Sequence, residues 1–121
     1  MRSAAIKSTL LSVLMSAICS AAALAADTAS SIARGRALYA SVGCYQCHGY
    51  VGQGGLAGPR LAPGPMPAQA LKIFIRNSVR SMPPYPASIL PDADLADIYA
   101  YLLSIPPAPR VETIPLLRSL K

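Results

Sequence analysis

Two thiols three residues apart with a histidine directly after the second, Cys44-Tyr45-Gln46-Cys47-His48, constrain this chain more than any other feature. On one turn of helix, positions three apart share a face, so both sulfurs can reach the two vinyl groups on one porphyrin edge while His48 points at the iron. The run reads as a covalent haem-attachment signature. A closed zinc site wants four ligands, and this segment offers three. A thioredoxin-like dithiol would follow a strand inside a βαβ unit, and no such unit is readable here.

Arg2 and Lys7 precede an apolar stretch from about Leu10 to Leu24 that closes on Ala23-Leu24-Ala25. This is the pattern of a signal peptide, with cleavage expected after Ala25 or Ala26. The chain then divides into a leader over 1–25, a domain over 26–105 and a proline-rich extension over 106–121. An uncleaved anchor would want about 20 apolar residues, more than this Ala/Ser-rich run supplies. Cys19 leaves with the leader, because Ile18 stands where a lipoprotein site has a small residue. Cys44 and Cys47 are then the last two cysteines, and export to an oxidising compartment, the periplasm, fits their covalent use.

Hydrophobic residues make up 53% of the chain, a figure the leader inflates, and no later segment is long enough to span a membrane. Without the leader the formal charge drops from +6 to about +4, mildly basic, and the basic residues lack any nucleic-acid motif or aromatic platform. What remains, about 95 residues, is marginal for a core made of protein alone. One buried porphyrin would supply the missing apolar volume.

The spacing predicts a helix from Ser30 to about Val42, capped by Ser30 or Thr28 and ended by Gly43, with Ile32, Leu38, Tyr39 and Val42 on its apolar face. Gly35 inside it costs about 1 kcal/mol relative to alanine, which suggests close approach of another helix. Residues 49–66 carry so many glycines and prolines that they read as an irregular, functional loop. A second helix is predicted from Pro67 to about Val79, with Leu71, Phe74, Ile75, Ser78 and Val79 inward and Lys72, Arg76 and Arg80 on the other side. Met82-Pro83-Pro84-Tyr85-Pro86 must run extended. A third helix opens near Asp92 and carries Leu95, Ile98, Leu102 and Ile105 before Pro106-Pro107 stops it. The extension from Pro106 to Lys121 shows no period and reads as loosely docked. The fold class is all-α: about three main helices and loops wrapped around one haem.

The chain has one histidine, so two histidines cannot ligate the iron. Met1 and Met15 leave with the leader, which reduces the thioether candidates to Met66 and Met82. The prolines after Met82 stiffen its backbone and help to hold a soft sulfur against a metal; Met66 reads better as core filling. Met82 is the expected second axial ligand.

Assembled, these residues resemble a class I c-type cytochrome of the small bacterial monohaem kind, similar to cytochrome c6 and to the haem domains of dehydrogenase and oxidase complexes. The resemblance covers about residues 30–105 and rests on Cys44 to His48, Gly58-Pro59-x-Leu61, Met82-Pro83-Pro84-Tyr85 and Asp97-Ile98-Tyr99-Ala100-Tyr101-Leu102. It implies that the Pro59 carbonyl accepts the second ring N–H of His48. It also implies that Gly35 and Tyr39 meet Ile98 and Tyr101 where the first and last helices cross. Arg60 is expected either to pair with a haem propionate or to face solvent.

The function implied is one-electron transport by haem c with His48 and Met82 as iron ligands, in a carrier rather than an enzyme. Its partners would be redox proteins. Arg60, Lys72, Arg76 and Arg80 form either a patch that steers an acidic one or a solvated helix face. An alternative is a dedicated cytochrome subunit of a membrane-bound or periplasmic dehydrogenase or oxidase, docked by Ile114, Leu116, Leu117 and Leu120. A third reading, a haem sensor or enzyme with an open iron site, requires that Met82 does not bind.

Overall fold

Alanine-rich sequence with apolar Ile32, Leu38 and Tyr39 at helical spacing forms α1, which covers residues 26–41 of the chain, here a computed structural model. The structure describes residues 26–79 and 81–118; the expected leader over 1–25, Arg80 and Leu120 lie outside the described residues. Neither Thr28 nor Ser30 caps α1, contrary to the sequence reading, since the helix is already under way at Ala26. Ser30 Oγ accepts a hydrogen bond from Arg34 at 2.6 Å, and Ser31 bonds Asp97 of a distant helix. Serine hydroxyls can serve either role; here Ser30 takes a partner one turn on within α1, and Ser31 takes one 66 residues away.

Gly43, at φ 82°, turns the chain out of α1 and directly into α2, Cys44–His48. After the long loop come α3, Ala68–Asn77, an extended segment, and α4, Asp92–Ser104. Asp92 and Asp94 occupy the first turn of α4, where they complement the helix dipole. No strand occurs among the described residues, and the all-α class stands.

Helix α3 stops at Asn77 because Ser78 turns to an extended conformation. Val79, expected inward, is therefore carried out into solvent, while Leu71, Ile75 and Ser78 are buried. The extension forms a 3-10 turn, Val111–Thr113, and a last turn of helix, α5, Pro115–Arg118, where the sequence showed no period. Among α2 to α5 and that turn, α5 packs only on the turn.

The framework is the crossing of α1 and α4. Gly35 lies against the Asp97 and Ile98 backbone so closely that a side chain has no room. One turn on, the Tyr39 and Tyr101 rings meet at 5.6 Å, tilted by 59°. Tyr39, Leu95, Ile98, Tyr101 and Leu102 are all at most 5% exposed. Burial contributes roughly 1.5–3 kcal/mol for each aliphatic member, which is what holds the two helices together.

At the rim of this crossing Arg34 Nε bonds Asp97 at 2.7 Å, and that bond, reinforced by Ser31, holds the Asp97 carboxyl below its ordinary value. Bonds from Lys72 and Arg76 do the same for Asp92. A carboxyl with a lowered folded-state pKa stabilises the fold above its unfolded value of about 3.9, and the contribution fades as pH falls through the folded value. Asp97→Asn should therefore lower the urea midpoint at about pH 6, with the gap from wild type closing towards about pH 3. A gap that persists in acid would show that the side chain acts without its charge.

Candidate haem site

The loop after α2 closes on itself before it reaches α3. Leu61 N and Ala62 N both donate to the Gly52 carbonyl, at 2.7 and 2.9 Å, and Gly54 N donates to the His48 carbonyl at 2.8 Å. This fold-back lays Gly58 and Pro59 beside the histidine ring. A Cβ on Gly58 would come within 2.9 Å of His48 Nδ1 and Cε1, so the backbone itself forms the wall against which the imidazole rests.

His48 Nδ1 lies 2.7 Å from the Pro59 carbonyl oxygen. A carbonyl only accepts, so Nδ1 carries a proton, and in the neutral ring this leaves the lone pair on Nε2. His48 is 8% exposed. Its carbonyl neighbours are fixed as well: Tyr39 Oη donates to Gly49 O at 2.8 Å, and Tyr101 Oη donates to Tyr50 O at 3.1 Å. Burial raises the Tyr39 hydroxyl well above its ordinary pKa, which keeps it a donor.

A cavity of about 610 Å³ opens beside these groups. Its lining brings together Cys44, Cys47, His48, Pro59, Met66 and Met82 with an apolar wall that includes Leu61, Leu71, Phe74, Ile75, Ile98 and Leu102. Cofactor pockets commonly run to about 300–1,000 Å³ with mostly apolar walls, so the space and chemistry fit a large flat apolar group with one metal. No disulfide joins Cys44 to Cys47, and burial pushes the Cys44 thiol, before any attachment, up to about 11. That disfavours the thiolate on which disulfide exchange depends.

Phe74, half exposed, belongs to the cavity wall rather than to the core. Arg60 does not line the main cavity. It borders a smaller one of about 60 Å³ that shares Leu61, Met66, Leu71 and Leu102 with it. Lys72 and Arg76, expected on a solvent-facing basic patch, both bond Asp92, at 2.6 and 2.8 Å. The sequence reading missed Arg76 as a structural group: its Nη1 and Nη2 donate to the Tyr85 and Leu90 carbonyls at 2.5 and 2.7 Å. The available signal was the proline-rich segment itself, whose carbonyls need donors from elsewhere.

A family model described as cytochrome c oxidase, cbb3-type, subunit III matches residues 30–102. The chain is also similar to the cytochrome c subunit of 4-cresol dehydrogenase [hydroxylating] of Pseudomonas putida, 35% identical over 105 residues, 85% of this chain and 88% of that protein. No solved structure matches. The chain belongs to the c-type cytochromes, in class I. It carries one covalently bound haem c and transfers electrons without being a catalyst itself.

Proposed function

We propose that this protein is an exported one-electron carrier whose haem is attached through Cys44 and Cys47 and ligated by His48 and Met82, with a dehydrogenase as its redox partner. The observation that carries the reading is a single cavity lined by both thiols, by His48 with its Nε2 lone pair available, and by Met82. When bound, haem supplies the one-electron couple, and thioether ligation raises its potential. The chain's residues do the rest. Pro59 fixes the imidazole and raises its basicity, the apolar wall keeps water from the porphyrin faces, and the segment around Met82 presents the sulfur. Arg60, beside the smaller cavity, is the candidate partner for a propionate.

The dehydrogenase is suggested by the relative's name, which also favours a second reading, a dedicated subunit of such a complex. Export to the periplasm is supported by the leader pattern over 1–25. Among the described residues no helix is long and apolar enough to cross a membrane. An acidic partner would meet a weaker field than four basic residues suggest, because Asp92 is drawn against Lys72 and Arg76.

Met82 and Met66 both line the cavity, and one comparison separates them. In the oxidised protein the weak sulfur-to-iron absorption band should vanish in Met82→Ala and survive in Met66→Ala. The opposite pattern would move the ligand to Met66.

A further inference from the structure

The segment that carries Met82 has few means of holding itself in place. Between Ser78 and Asp92 it contains Pro83, Pro84, Pro86 and Pro91, none of which has an N–H to donate. Within it Ile89 N and Leu90 N both turn back to the Pro86 carbonyl, and its ties to the rest of the molecule run to groups outside it or at its edge. Ser78 Oγ donates to the Met82 carbonyl at 2.8 Å, and Tyr85 N donates to Ile75 O at 3.0 Å. Tyr85 Oη reaches back to Val42 O at 3.0 Å, beside the turn that enters the Cys44 helix.

Arg76 spans the remainder. One guanidinium holds the Tyr85 carbonyl, three residues beyond Met82, the Leu90 carbonyl at the far end, and Asp92 at the start of α4. Its side chain is 16% exposed whereas that of Asp92 is 56% exposed, so the carbonyl contacts are shielded and the carboxylate contact is wet. Arg76 does not line the cavity. Only a planar fork with several donors can bridge two carbonyls and a carboxylate in this way, and a lysine ammonium is a poor substitute.

We infer that Arg76 is a positioning residue for Met82: by clamping both ends of the Tyr85–Leu90 stretch to α3 it keeps the thioether presented to the cavity that it does not itself touch. The inference rests on Met82 as the iron ligand, as proposed above. The clamp acts through the two carbonyls, and the ion pair with Asp92 is secondary because it is exposed.

Imidazole added to the oxidised holoprotein tests this, since it must displace Met82 and binds only the fraction of molecules in which the segment has let go. In Arg76→Gln its apparent affinity should rise about ten-fold or more, as the open fraction rises. Far-UV circular dichroism and covalent haem content should match wild type. Arg76→Lys should fall between the two, and Asp92→Asn should stay within about two-fold of wild type. Met82→Ala, which has nothing to displace, sets the upper limit.

If Met82→Ala binds imidazole no more tightly than wild type, the ligand assignment fails. If Met82→Ala binds tightly while Arg76→Gln and Arg76→Lys both match wild type, the clamp alone is wrong. An Asp92→Asn rise equal to that of Arg76→Gln would overturn it too, by showing that the ion pair is what matters. Should Arg76→Gln fail to fold, Arg76→Lys decides, a rise supporting the clamp and no change refuting it.

Discussion

Gly35→Ala is expected to lower the unfolding free energy of the holoprotein by about 3 kcal/mol. In an exposed helix the same substitution would stabilise by about 1 kcal/mol, because alanine is the better helix former. The sign of the measured change therefore decides between two pictures of this position. A Cβ on Gly35 would overlap the Asp97 carbonyl and lie 2.9 Å from Ile98 N, and both obstacles are backbone. A neighbouring side chain could swing aside, but the backbone of α4 cannot without moving the helix. Separation of α1 from α4 would loosen the Tyr39–Tyr101 contact and the Arg34–Asp97 bond together. Urea denaturation followed by far-UV circular dichroism measures the loss, and a stabilised Gly35→Ala protein would refute the close crossing.

The second large effect is expected from the double replacement of Cys44 and Cys47 by serine, which should yield a chain without covalent haem and without most of its helix. The cavity lies where α2, α3 and α4 would otherwise pack, and its walls include Leu71, Ile75, Ile98 and Leu102. At about 24 cal/mol per Å³, a dry void of this size would cost about 15 kcal/mol, an upper bound that matches the entire stability of a small domain. Flooding the space only exchanges that cost for exposure of its apolar walls. The double variant should lose its cooperative thermal transition, and haem should be extractable by acidified acetone. A variant that melts cooperatively with wild-type helix content would show that the polypeptide core suffices alone.

The parts of this fold legible in the sequence are those set by local chemistry and period. Asp92 and Pro106 bracket α4 because carboxylates favour one end of a helix and proline ends the other, and Leu95, Ile98 and Leu102 recur at its spacing. The haem motif is legible because its reaction demands a fixed spacing within one turn. Apart from the helix crossing that Gly35 signalled, contacts between residues far apart in the sequence were not legible. Ser30 resembles a cap until Arg34 is placed beside it, Ser31 gives no local sign of its bond to Asp97, and Val79 fits the helical stripe until Ser78 turns away. Arg76 sits on the polar face of α3 like any solvated cation, and nothing local in its neighbourhood indicates that two carbonyls 9 and 14 residues away will need it.

The hydroxyls of Tyr39 and Tyr101 give the helix crossing a second meaning. Each tyrosine, while packing against the other, holds one of the two carbonyls that follow His48, at Gly49 and Tyr50. The joint between the first and last long helices is thereby also the bearing on which the histidine is mounted. An electron relay is fast when its surroundings shift little between charge states, so that little reorganisation energy has to be supplied at each transfer. In this protein that stiffness at the histidine is drawn from the same pair of rings that keeps the chain folded, and loosening the one would slow the other.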